Sequence, residues 1–266
     1  MPIRDESRSI DPFAIDVRPR DIAVFLDVDG TLIDIAESPS AVHVPHYLPT
    51  LLADLLGRLG GAMALVSGRP LAEIDDLFRP LAAPAAGQHG LEWRRPDGTV
   101  DRDVREIRAL DAIDGRLRAF VARHPGLLLE HKGMTIALHY RAAPEFEADA
   151  RSLVGSIRQA FADELDVYDG KMVFEFKPAG ADKGSAVRRF MAMPPFAGRR
   201  PVFVGDDTTD EYGFAAAREA AGIAVMVGDK ASAQANAWLA DVRAVHRLLA
   251  LWSGRPDLLA EVSRRK

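Results

Sequence analysis

IAVFLDVDGTL (residues 22–32) is the stretch on which the fold turns. Its first half is an unbroken apolar run too short for a typical helix, and such runs suit a parallel strand buried on both faces. The run stops at Asp27, and Asp29 and Gly30 follow in a loop, so two carboxylates stand just past the carboxyl end of a buried strand. Working outward, Leu48, Leu51, Leu52, Leu55, Leu56 and Leu59 recur at helical spacing, with Gly60 and Gly61 as the stop. AMALV (62–66) reads as a second buried strand, and Pro70 fits the first turn of a helix ending near Phe78. The alternation returns late in the chain. A helix opens near Asp182, PVFVG (201–205) and IAVMV (223–227) are buried strands, and a last helix carries Val245, Leu248, Leu249 and Trp252. This pattern predicts an α/β core with a parallel sheet.

The middle of the chain follows another rule. Asp97-Gly98 is a hairpin signal between LEWRR and TVDRD. A helix then carries Val104, Ile107, Leu110, Ile113, Leu117 and Val121, and the strands LLLEHK and TIALHYR join at Gly133. A second helix carries Phe146, Ala150, Leu153, Ile157 and Phe161, and two strands around LDVY and KMVFEFK meet at Asp169-Gly170. Helix, hairpin, helix, hairpin is an α+β unit: an antiparallel sheet backed by two helices, inserted into the core as a cap. The expected division is an N-terminal arm over 1–20, a core over 21–100 and 178–266, and the cap over 101–177.

Composition narrows the function. In 266 residues, 34 Lys and Arg stand against 39 Asp and Glu, a net charge of −5, which disfavours nucleic acid and anionic membrane as partners. The absence of cysteine excludes disulfides, thiolate metal sites and a cysteine nucleophile. No apolar run reaches the ~18 residues of a membrane span. The first twenty residues are too charged for a secretory leader, so a soluble cytoplasmic protein is expected.

Asp27 and Asp29 alone are compatible with a strand end and a turn; other segments decide. VSGRP puts Ser67 just after the second buried strand, GDDTTDE puts Asp206, Asp207 and Asp210 just after the third, and ADKGSAV puts Lys183 at a helix start. Several carboxylates at one sheet edge repel one another unless a cation or raised pKa values relieve the charge. Mg²⁺ is the natural cation, since it prefers carboxylate oxygens and keeps waters that phosphate can replace. Lys183 and Ser67 then suit phosphate, one as a point charge and the other as a hydroxyl donor.

With these residues in view, the chain resembles the haloacid dehalogenase superfamily of phosphotransferases. DVDGT looks like its first motif, Ser67 its second, Lys183 its third, and GDD with Asp210 its fourth. The resemblance implies a Rossmann-like core, Asp27 as the nucleophile that becomes an aspartyl phosphate, and Asp29 as general acid and later base. It also implies Mg²⁺ held by Asp27, the Asp29 carbonyl and Asp206, supported by Asp207 and Asp210. Thr31, Ser67, Gly68 and Lys183 would hold the phosphoryl group.

The finer pattern resembles trehalose-6-phosphate phosphatases, a capped branch of that superfamily. FLDVDGTL, VSGRP, GQHGLE, EHKG with ALHYR, VFEFKPAGADKG and GDDTTDE carry the likeness through core and cap. Val28 departs from it, standing where the family often has an aromatic residue. The resemblance implies Glu130, Lys132 and Glu175 as sugar contacts, His89 and Arg141 as neighbours, and a functional link to a trehalose-phosphate synthase. Rival readings are a phosphatase of sucrose phosphate or a mannosyl phosphate, and a phosphate-sensing module without catalysis.

Overall fold

The computed structural model describes residues 10–15, 18, 20–36, 41–102, 108–170 and 172–263. The remainder of the expected N-terminal arm, Val104 and Ile107 of the first cap helix, and Lys171 lie outside the described residues. The chain divides into two compact units, 1–101 with 182–266, and 102–181.

The first unit is built on β1 (Ile22–Leu26), whose five side chains are all buried. After it come α1 (Leu48–Arg58), β2 (Met63–Val66), α2 (Leu71–Phe78), β3 (Ala85–Gly87), β4 (Glu92–Arg94) and β5 (Val100–Arg102). The second unit supplies α3 (Arg108–Val121), β6 (Leu128–His131), β7 (Ile136–His139), α4 (Glu147–Ala160), β8 (Leu165–Gly170) and β9 (Val173–Pro178). The chain then returns to the first unit through α5 (Lys183–Met191), β10 (Arg200–Gly205), α6 (Asp210–Glu219), β11 (Ile223–Val227), β12 (Ala237–Leu239), α7 (Val242–Ser253) and α8 (Leu259–Ser263).

The large sheet has the order β12-β11-β10-β1-β2-β3-β4-β5. It is parallel from β12 to β3, and β4 runs antiparallel to β3. The apolar run of β1 is thus explained: it pairs with β10 and β2 and is covered on both faces. β3 and β12 go beyond the sequence expectation. Each is three residues long and alanine-containing, too short to show a period. Ile10 bridges to Ala237 on the edge strand β12, so the described start of the arm docks on the sheet. Among the described residues no helix is long and apolar enough to cross a membrane.

The second unit is a four-stranded antiparallel sheet, β6-β7-β9-β8. Ile136, Leu138, Phe174 and Phe176 share a core with Leu110, Ile113, Leu117 and Ile157 of α3 and α4. On the other face one row of cross-strand partners runs Glu130, Ala137, Glu175, Tyr168. The turn expected at Asp169-Gly170 lies one step later. Both residues stay paired, with Phe174 and Val173, and Met172 takes the left-handed backbone at φ 63°. The register that buries Phe174 and Phe176 sets this, not the Asp-Gly pair. Pro178 to Ala181 also stay with this unit: Ala179 N–H donates to Glu164 O and Gly180 N–H to Asp166 Oδ2.

Candidate active site at the end of the central strand

Chain order leaves β1 toward β2 and β3 on one side and toward β10, β11 and β12 on the other. Open α/β sheets bind ligands beyond the strand ends at such a reversal. Asp27 is the first residue past β1, and its N–H donates to Val204 O at 2.9 Å, which keeps the backbone in register while the side chain stands at the strand end. Gly30 turns the chain back with φ +82°, and a Cβ there would collide with the Asp206 carboxylate, so glycine is required twice over.

Lys183 Nζ donates to Asp27 Oδ1 at 2.6 Å and to Asp210 Oδ1 at 2.7 Å, with all three side chains buried. Burial by itself would lower the lysine pKa, but Asp210 and Asp27 raise it, and the group is a fixed ammonium. Burial holds Asp27 well above the usual carboxylate range, Asp210 adds to this, and Lys183 opposes it. Asp206 is pushed up to about 6, by burial first and Asp210 second. Asp210 is fixed by the loop it closes, since its Oδ2 accepts from the N–H groups of Asp206 and Asp207 at 3.0 and 2.9 Å.

Oxygens of Asp27, Asp206 and Asp210 lie within 4.8 Å of one another. Asp206 Oδ1 is buried and has no hydrogen-bond partner among the described residues. A buried acceptor without a donor is costly, and three hard oxygen donors around one such atom fit a divalent cation. Two other acids of the expected metal set point elsewhere. Asp207 Oδ1 accepts from Lys230 at 2.9 Å, and the Asp29 carboxylate is gripped by Arg69.

Thr31 is buried with Oγ1 3.4 Å from Asp27 Oδ2. Ser67 is buried, and its Oγ accepts from the Arg69 N–H at 3.1 Å. A Cβ on Gly68 would stand 2.8 Å from His89 Nε2, so the glycine lets the imidazole pack against this loop. His89 itself is left-handed at φ 57°, buried, and donates its N–H to Ser67 O. Such backbone persists only where the surroundings over-determine it.

In the second unit, His139 Nε2 donates to Glu130 Oε2 at 2.8 Å and Thr135 Oγ1 to Glu175 Oε1 at 3.0 Å. Lys132 Nζ stands 3.9 Å from Glu130 Oε2 and 3.7 Å from Glu175 Oε1. Arg141 is exposed in the turn after β7. β7 ends at His139, so Arg141 lies beyond the strand.

Residues 25–242 match the trehalose-phosphatase family. The chain belongs to that family. A probable trehalose-phosphate phosphatase of Sinorhizobium fredii is 44% identical over 77% of this chain and 77% of its own length. The trehalose-6-phosphate phosphatase of Escherichia coli is 42% identical over 83% and 82%. A crystal structure of a trehalose-6-phosphate phosphatase related protein superposes with a TM-score of 0.72 at 27% identity, covering 88% of this chain and 97% of that one. The fold is that of the haloacid dehalogenase phosphatases.

Two further residues of this chain brace the site and lie outside the residues that the sequence motifs point to. Arg69 donates Nε and Nη2 to the two Asp29 oxygens, both at 2.7 Å, and Nη1 to Glu73 at 3.1 Å. Its position next to Ser67 and Gly68 was a signal, but its partner lies 40 residues away. His246 of α7 donates Nε2–H to Leu32 O at 2.8 Å, which makes Nδ1 the acceptor for Tyr47 OH at 2.9 Å. It ties the loop after β1 to α1 and α7, and burial lowers its pKa. Nothing in the local sequence marks it.

Proposed function

We propose that this chain hydrolyses trehalose 6-phosphate to trehalose and phosphate, the last step of trehalose biosynthesis. The observation that carries the reading is the Asp27 carboxylate at the end of β1, paired with buried Lys183 beside Asp206 and Asp210, in a chain of this family. A buried carboxylate with a fixed ammonium beside it suits attack on a phosphoryl group.

Asp27 attacks phosphorus while the bond from phosphorus to the sugar oxygen breaks, and Asp29 delivers a proton to that oxygen. Water then attacks the aspartyl phosphate, Asp29 takes the water proton, and phosphate leaves with Asp27 regenerated. Because the Arg69 fork occupies both Asp29 oxygens, Asp29 has to loosen from it to reach the sugar oxygen. Lys183, Ser67, Thr31 and the Gly68 segment hold the phosphoryl oxygens. Asp27, the Asp29 carbonyl and Asp206, braced by Asp210 and Asp207, would hold Mg²⁺, whose charge would offset that of the phosphoryl group. Glu130, Lys132 and Glu175 are assigned to sugar hydroxyls, with His89 and Arg141 as neighbours. A cytoplasmic location and a functional link to a synthase that supplies the substrate belong to the same reading.

Phosphate release with Mg²⁺ across a panel of sugar phosphates, beside a small aryl phosphate, tests this. Glu130→Gln and Glu175→Gln should lower kcat/KM for trehalose 6-phosphate by ~10–150-fold and leave the aryl phosphate nearly unchanged. Lys183→Ala should impair both. A wild-type preference for sucrose phosphate or a mannosyl phosphate would overturn the substrate, and equal losses on both substrates in the glutamine variants would overturn the sugar contacts.

A further inference from the structure

We propose that Thr135 and His139 are positioning residues that aim the Glu175 and Glu130 carboxylates at sugar hydroxyls; this rests on the reading above that those glutamates contact the sugar. Glu130, Ala137 and Glu175 are successive cross-strand partners, so the two glutamates flank one small side chain on the same face. They are like charges on long side chains, and Lys132, at 3.7 and 3.9 Å, is outside hydrogen-bond distance of both. The lysine balances their charge without orienting them.

Thr135 does orient one of them. It is wholly buried just before β7, and its hydroxyl donates to Glu175 Oε1. Its carbonyl accepts the Lys132 N–H at 3.0 Å, closing a turn in which Gly133 is left-handed at φ +87°. One β-branched residue, stiff at χ1, thus fixes the Lys132 backbone and the Glu175 carboxylate together. His139 does the same for Glu130. It sits two residues along β7 from Ala137 and binds Oε2, while Glu130 Oε1 has no partner among the described residues. That hydrogen bond is also the main cause of the lowered Glu130 pKa, which keeps the group a carboxylate. A carboxylate with one oxygen anchored accepts a hydroxyl proton from a restricted direction, as recognition of a neutral polyol requires.

Steady-state kinetics of Thr135→Val, Thr135→Ser, His139→Ala and His139→Gln on trehalose 6-phosphate and p-nitrophenyl phosphate, with wild type and Glu175→Gln alongside, test this. Valine and alanine should each lower kcat/KM for the sugar phosphate about tenfold, mostly through KM, and move the aryl phosphate by less than about twofold. Serine and glutamine keep the donor and should restore most of the loss. Thr135→Val should add little on top of Glu175→Gln, because the two act through one carboxylate. Parallel losses on both substrates, no rescue by Thr135→Ser, or full additivity with Glu175→Gln would overturn the role. An unaffected Glu175→Gln in a protein that does hydrolyse trehalose 6-phosphate would instead overturn the sugar contact itself. A damaged Glu175→Gln beside an unaffected Thr135→Val would overturn only the positioning.

Discussion

Asp206 has a folded-state pKa of about 6, against ~3.9 for an aspartate in an unfolded chain. The folded protein therefore holds its proton more tightly, and the stability this group contributes is present below about pH 4 and lost as pH rises through about 6. In chelator, wild type should lose melting temperature over that window relative to Asp206→Asn. Mg²⁺ should raise the wild-type melting temperature at pH 7.5 and much less at pH 5, because a ligand oxygen must be deprotonated to bind. Equal responses at both pH values, or a full response in Asp206→Asn, would take Asp206 out of the cation site. Asp27→Asn should abolish turnover, since an amide cannot form the acyl phosphate. Its melting temperature in chelator should equal or exceed that of wild type, because burial and Asp210 already raise the Asp27 pKa and Lys183 keeps Asp210 as a partner. Measurable turnover in that variant would remove the nucleophile. Asp27 and Asp206 were legible in the sequence because each directly follows a buried apolar run. The Asp29–Arg69 fork was not, since neither residue type nor spacing encodes a contact across 40 residues.

α5 shows how an element carries chemistry. Asp182 accepts the Ser185 N–H at 2.6 Å and Ser185 accepts the Asp182 N–H at 3.2 Å, a reciprocal cap that fixes the first turn and hence Lys183, its first residue. Gly184 follows because a Cβ there would strike the Tyr212 carbonyl of α6. Asp182→Ala should cost about 1 kcal/mol of stability and reduce kcat on sugar and aryl phosphates alike, since the phosphoryl contact proposed for Lys183 is common to both. Denaturant unfolding and the two-substrate assay check this; a stability loss with unchanged kcat would mean that Lys183 is held by Asp27 and Asp210 alone. The start of α5 and the long buried strands were legible from Asp182 and from continuous apolar runs. β3 and β12 were not, because three-residue strands take their structure from the neighbours they pair with. The turn before β9 escaped for a related reason: the burial of Phe174 and Phe176 outweighs a local Asp-Gly preference.

At the scale of the whole molecule, charge and polarity are divided between the units. The first unit gathers three buried carboxylates and one ammonium, an arrangement suited to a dianionic phosphoryl group and a divalent cation. The second gathers two glutamates, a lysine, a histidine and a threonine on one sheet face, suited to hydroxyls. The two products, phosphate and the proposed trehalose, should protect different parts of the chain. Hydrogen exchange in Mg²⁺ and inorganic phosphate should slow in the segments around 27–33, 67–69 and 205–210. Saturating trehalose alone should leave those segments unchanged and slow the β6–β7 hairpin, above all the Lys132 N–H that closes on Thr135 O. The neutral sugar carries no charge to compete for the carboxylate cluster, so the two patterns should be separable and, with both products present, additive. Trehalose that protects the first unit, or that leaves the hairpin unchanged at concentrations that inhibit turnover, would contradict the assignment of the sugar to the second unit. Glu130→Gln should weaken the trehalose pattern and spare the phosphate pattern, which ties the exchange result to the same side chain that the kinetics interrogate.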